Sequence, residues 1–197
     1  MNMVTRVQHL AFRFRSYTPV PFLLLALLYA HPTPIGLAAG LLFICGGEIL
    51  RFWSVSVAGV RTRSTRELSA ASLVTTGPFA RSRNPIYTGN MMIYFGVGLM
   101  SMGLFPWLQI GGMIWFLLQY SLIIAYEEDF LAARFGNEYE TYRTMVNRFI
   151  PHLRPSRSAP VRLSVRDGFL SERRTFQAEI LVAGTLIAIY VFGTVQG

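Results

Sequence analysis

NPIYTGNMMIYFGVGLMSMGLFPWLQIGGMIWFLLQYSLIIAYEEDFLAARF, residues 84–135, is the stretch on which the fold turns. Two apolar runs, Tyr87–Met102 and Pro106–Tyr126, meet at the tight turn Met102–Gly103–Leu104–Phe105. So short a connection makes the two helices antiparallel neighbours. The second run passes into EEDFLAARF with no breaker before Gly136. From Pro106 to Phe135, at 1.5 Å per residue, the helix is about 45 Å long, against a hydrocarbon core of roughly 30 Å. Its end should therefore stand in the aqueous phase.

Three further apolar segments flank this hairpin. Tyr17–Ala30 is short for a span and is preceded by Arg6, Arg13 and Arg15. A signal-peptide core is one reading, but the small-x-small cleavage pattern is missing at Leu28–Ala30, which favours a retained helix. Ile35–Val57 is long enough to cross, and Ala178–Phe192 supplies a fifth segment. The expected fold is all-α: a polytopic integral membrane protein with about five transmembrane helices. Residues 1–197 form one membrane domain, with a connector over 152–177 and a C-terminal transmembrane helix over 178–193.

Charge orients these segments. All 18 basic residues are arginine, and hydrophobic residues make up 52% of the chain against 14% charged. Five crossings place the N-terminus, Gly59–Pro85 and Glu127–Gln177 on one side. Every arginine but Arg51 lies there, and Arg51 sits near the same end of its helix. The loops His31–Pro34 and Met102–Phe105 hold none. The arginine-bearing side, N-terminus included, is thus expected in the cytoplasm. A pI near 10.2 would suggest nucleic acid in a soluble chain, but arginines between apolar runs, without zinc spacing or an RNA-binding signature, argue against that partner. Cys45 alone forms no internal disulfide or multi-cysteine metal site. His9, His31 and His152 lack metal-ligand spacing. Glu48 and Arg51, three apart, could pair in the membrane or line an acceptor cavity.

The hairpin brings two polar motifs to the cytoplasmic edge, GPFARSRNPIYTG at 77–89 and the acids Glu127–Glu128–Asp129. Asn84 is a good helix N-cap and Pro85 a good first helical residue, which alone would explain much of the first motif. A helix N-terminus beside Arg83 also suits a carboxylate or phosphate. Gly77 and Pro78 would shape a turn for close backbone approach, and Gly89 would permit close helix contact. Of Glu127 and Glu128, about 100° apart, at most one can point straight into a cleft. A carboxylate there could hold an ammonium group or ribose hydroxyls. Pairing with nearby arginines is the plainer alternative.

These motifs, in this order and spacing, resemble the isoprenylcysteine carboxyl methyltransferase and phospholipid methyltransferase family of integral membrane enzymes. The resemblance rests on Gly77–Pro78–Phe79, Arg83–Asn84–Pro85–Ile86–Tyr87–Thr88–Gly89, Glu127–Glu128, Phe135–Gly136 with Tyr139 and Tyr142, and Arg148–Phe149–Ile150–Pro151. It covers about residues 73–151, taken as the cofactor-binding core. It implies S-adenosyl-L-methionine at the cytoplasmic edge and methyl transfer to a lipophilic or membrane-embedded acceptor. Leu73, Val74 and Phe79 would line the adenine, and Gly77 and Pro85 also count among the cofactor-binding residues. Arg83, Asn84 and Tyr87 would meet the methionine part, and one or both of Glu127 and Glu128 would anchor the cofactor. Arg148 and Phe149 would close the pocket, Arg148 and Tyr87 lying nearest the chemistry. Asn84 departs from the histidine usual in the family and carries no charge near neutral pH. The sterol and steroid reductases, which use NADPH, share a similar Arg-His-Pro-x-Tyr-x-Gly element, but an acid commonly follows its glycine where Asn90 stands here. A non-catalytic lipid-binding protein is the third possibility. The lack of a targeting signal and the arginine-only basic set suggest a bacterial inner membrane.

Overall fold

The computed structural model describes residues 3–59, 72–153 and 163–195, and among these every regular element is helical. In chain order they are α1 (Met3–Arg13), α2 (Pro19–Leu28), α3 (Pro34–Ala58), α4 (Pro85–Ser101), α5 (Trp107–Phe135), α6 (Asn137–Met145) and α7 (Val165–Val195). A 3₁₀ turn, Gly77–Ala80, precedes α4. The arginines at 61, 63 and 66 and the connector's 154–162 lie outside the described residues.

Each expected apolar segment coincides with a helix. Three are long and apolar enough to cross a bilayer: Pro34–Ala58, Trp107–Phe135 and Val165–Thr194. The other two are shorter. The 10 residues of α2 rise about 15 Å and the 17 of α4 about 26 Å. The 29 residues of α5 run unbroken through the acids, as the absence of a breaker before Gly136 requires. Gly136 ends it in a backbone conformation (φ 50°) that side chains rarely adopt, and α6 starts at once.

Two elements differ from expectation. α1, which no apolar run announces, is a helix ahead of the first apolar segment. α7 begins at Val165, well before Ala178, because Ser164 Oγ accepts the Asp167 amide (3.4 Å) and nothing downstream breaks the helix.

The chain divides into two compact units, each made of three separated stretches. One comprises Arg15–Ile49, Gly89–Leu118 and Glu172–Gly197. Its core gathers Ala26, Ile44, Val97, Met100 and Leu186. Here α3 and α4 touch backbone to backbone. A Cβ on Gly96 would lie 2.6 Å from the Gly40 carbonyl, and one on Gly47 2.7 Å from the Gly89 carbonyl. The close approach expected at Gly89 is therefore present. Phe22 packs edge-on against Phe116, which stacks on Tyr94 at 4.4 Å. The other unit comprises Met1–Phe14, Leu50–Thr88 and Gln119–Ser171. Its core is Tyr139, Tyr142 and Val146, packed by Leu73, Leu131, Ala132 and Phe135. Both polar motifs, Gly89 excepted, belong to this second unit.

Candidate functional site

Gly77 opens the 3₁₀ turn at φ 61°, where glycine relieves strain, and a Cβ there would press on Val57 at 3.1 Å. Pro78, Ala80, Ser82 and Pro85 are buried, so the segment enters α4 on a fixed path. Arg83 on this path reaches three other pieces of chain. Its Nε and Nη2 donate to Glu128 Oε1 (3.1 and 2.9 Å). Its Nη1 donates to the carbonyls of Arg143 (3.0 Å) and Val146. Its amide donates to the Asn147 carbonyl (2.9 Å).

The 146–153 segment is held along its length. Asn84 Nδ2 and Ser82 Oγ both donate to the Arg148 carbonyl (3.2 Å each). The His152 amide donates to the Arg81 carbonyl (2.9 Å), and Arg81 Nη1 to that of Leu153 (2.7 Å). Arg148 Nη2 pairs with Glu128 Oε2. Both oxygens of the buried Glu128 thus meet guanidinium groups, one from either side of α5 in sequence.

The two glutamates diverge as helix geometry demands. Half-buried Glu127 accepts the Tyr87 hydroxyl on Oε1 (2.8 Å), and the Tyr87 ring lies 4.8 Å from that of Tyr120. Asp129 is exposed. The structure therefore brings Arg83, Asn84, Tyr87, Glu127, Glu128 and Arg148 together, in two adjoining clusters. Glu128 sits with cations, and Glu127 with a phenol.

The remaining expected residues surround these clusters. Leu73 packs on the tyrosine core, and Val74 is half-buried in the extended run that follows it. The Phe79 carbonyl accepts the Tyr142 hydroxyl (2.8 Å). Pro85 and Phe149 line a cavity of about 90 Å³ with Trp53, Pro78 and Pro151. That volume is well below the roughly 300 Å³ at which small-molecule sites begin, so the cavity alone does not hold a nucleoside. Leu73, Val74 and Phe79 do not line it.

Burial pushes the phenols of Tyr139 and Tyr142 up from their ordinary value near 10. A group whose folded pKa is raised contributes stability that is full below the unfolded value and is lost as pH rises above it. Thermal stability should accordingly fall from about pH 10 upward, and Tyr142→Phe should flatten that fall. At neutral pH the same variant should cost about 1 kcal/mol for the lost bond to Phe79. Melting curves between pH 8 and 12 in detergent test both expectations.

The acceptors that organise this site were not visible in the sequence. The carbonyls of Arg143, Val146, Asn147 and Arg148 carry no side-chain signature. Ser82 is an ordinary letter until the fold places it, and Tyr142, part of the motif, gives no sign in the sequence of its bond to the Phe79 carbonyl.

The chain is similar to the cobalt-zinc-cadmium resistance protein CzcN of Cupriavidus metallidurans, with 29% identity over 141 residues, 68% of this chain. It spans 61% of the length of that relative. No solved structure matches the chain. The phospholipid methyltransferase family matches residues 35–138, from the start of α3 into α6. That range takes in the Gly77–Tyr87 motif and both glutamates, and stops short of Arg148 and Phe149. Because it covers more than half of the chain, the protein belongs to the phospholipid methyltransferase family.

Proposed function

We propose that the protein is an integral membrane methyltransferase that uses S-adenosyl-L-methionine to methylate a lipophilic acceptor drawn from the bilayer. The observation that carries this reading is the convergence, in one unit, of a half-buried carboxylate fixed by a phenol with a pair of guanidinium groups. An amino-acid-bearing nucleoside offers an ammonium group, a carboxylate and ribose hydroxyls, and the donor set fits all three. When bound, the cofactor supplies a methyl group already activated by its sulfonium charge.

The chain's own residues position and exclude. Tyr87 fixes the Glu127 carboxylate so that it can receive an ammonium or a hydroxyl. The first turn of α4, led by Pro85 with its missing N–H, presents amides without helical acceptors. Arg83 and Asn84 stand beside that turn for a carboxylate. By the family resemblance, Leu73, Val74 and Phe79 would line the adenine, and Gly77 would let the backbone approach it. Arg148 and Phe149 close the site, and Arg148 could orient an acidic acceptor. In-line alignment and exclusion of water are then the main demands on the protein. Five crossings, a cytoplasmic N-terminus and a bacterial inner membrane complete the proposal.

Calorimetric titration of the detergent-purified protein with S-adenosylhomocysteine, and in parallel with NADPH, tests it. Glu127→Gln should weaken S-adenosylhomocysteine binding by about 10- to 100-fold, the value of a charge-assisted hydrogen bond, while leaving the melting temperature near that of the parent. Binding of NADPH alone would instead place the chain with the reductases, and silence from both ligands would favour a non-catalytic role.

A further inference from the structure

α1 carries two faces of different character. With successive residues about 100° apart, Met3, Val7, Leu10 and Phe14 fall on one narrow stripe, and Thr5, His9 and Phe12 on the opposite side. Phe14 continues the helical turn, its amide bonded to the Leu10 carbonyl (3.0 Å). The second side is used within its own unit: His9 and Phe12 bracket the Tyr126 ring, at 5.8 and 5.7 Å. The stripe is bare, with Met3 80%, Val7 46%, Leu10 50% and Phe14 48% exposed. Arg6 and Arg13 run along one edge of it, and the Arg13 guanidinium lies 5.8 Å from the Phe14 ring.

We propose that α1 lies in the plane of the membrane surface, with its Met3–Val7–Leu10–Phe14 stripe sunk among the anionic lipids of the arginine-bearing leaflet. A bare apolar stripe edged by arginines is the pattern of an interfacial helix, in which the apolar side enters the acyl boundary and the cations reach the headgroups. Charge selects lipid as the occupant. The chain holds no acid before Glu48, so this stretch presents only positive charge to an anionic surface. Sequence agrees, since only four residues separate Phe14 from Pro19, where the apolar helix α2 begins. Through His9 and Phe12 the lipid-bound helix would also steady Tyr126, the residue before Glu127. The inference stands independently of the methyl-transfer reading.

Its test uses the full chain in vesicles. With Cys45, the exposed free thiol, changed to serine, single cysteines are introduced as Val7→Cys, Leu10→Cys and, as an exposed comparator on α6, Asn137→Cys. Each is labelled with bimane. The proteins are reconstituted in phosphatidylcholine with and without phosphatidylglycerol. Labels at 7 and 10 should be quenched several-fold more strongly by lipids brominated near the headgroup than the label at 137. They should be correspondingly shielded from aqueous iodide, and more so with the anionic lipid. Equal access of iodide to all three labels would overturn the proposal. So would shielding at 7 and 10 from both quenchers, which would indicate a second copy or another protein on the stripe.

Discussion

Glu128→Gln lowers the stability of the protein by about 3–5 kcal/mol, the cost of breaking a buried ion pair by removing one partner. The side chains of Glu128 and Arg83 are only 9% and 11% exposed, so water cannot replace what the charge supplied. Glutamine keeps the shape and one acceptor oxygen but leaves Arg83 and Arg148 facing each other without the anion between them. The loss should appear as a fall in melting temperature on the order of 10 °C in detergent. Salt should rescue it little, since screening acts weakly on buried charge. Glu127→Gln, one residue away, is the matched contrast, affecting ligand binding with little change in melting. A Glu128→Gln protein that melts with the parent would show that the arginine pair is not what holds the 77–88, 127–128 and 143–153 segments together.

Gly40→Leu has an effect of similar size by a different route. A Cβ at Gly40 would run into the Gly96 carbonyl and the Met100 side chain, and the reciprocal Cβ on Gly96 would sit 2.6 Å from the Gly40 carbonyl. Neither obstacle is the loose end of a flexible chain alone, so the helices must part. Within a bilayer, close approach through small residues is a main source of helix association, and overpacking costs about 1–3 kcal/mol even when the surroundings yield. We expect a sharp drop in folded yield and melting temperature for Gly40→Leu and Gly96→Val. Gly184→Ala, with open space around its Cβ, should be neutral or slightly stabilising. If all three behave alike, the α3–α4 contact is not critical.

The long apolar runs announced their helices because burial in lipid demands uninterrupted hydrophobicity, and the turn at Met102–Phe105 followed from length alone. The divergence of Glu127 and Glu128 followed from helical periodicity. What could not be read was whatever depends on backbone acceptors or on weak amphipathic signals. In α1 the residues of the apolar stripe are separated in sequence by Arg6, Gln8 and His9, so the stripe shows as a period rather than a run. The start of α7 was signalled only by the cap pattern Ser164-x-x-Asp167. The route of 146–153 beneath Arg83 is set by carbonyl oxygens, which every residue has. The family match and the motif resemblance overlap from Leu73 to Glu138, so Arg148 enters the site on geometry more than on likeness.

The interleaving of the two units sets the order in which the molecule can be completed during synthesis. Arg83 emerges from the ribosome long before Glu128, and both precede Arg148, so the arginine–glutamate cluster closes only after the α4–α5 hairpin is made. Each unit draws on three stretches that alternate with those of the other. No single cut therefore releases either one intact, and a chimera that exchanges one unit between relatives must splice the chain at five points.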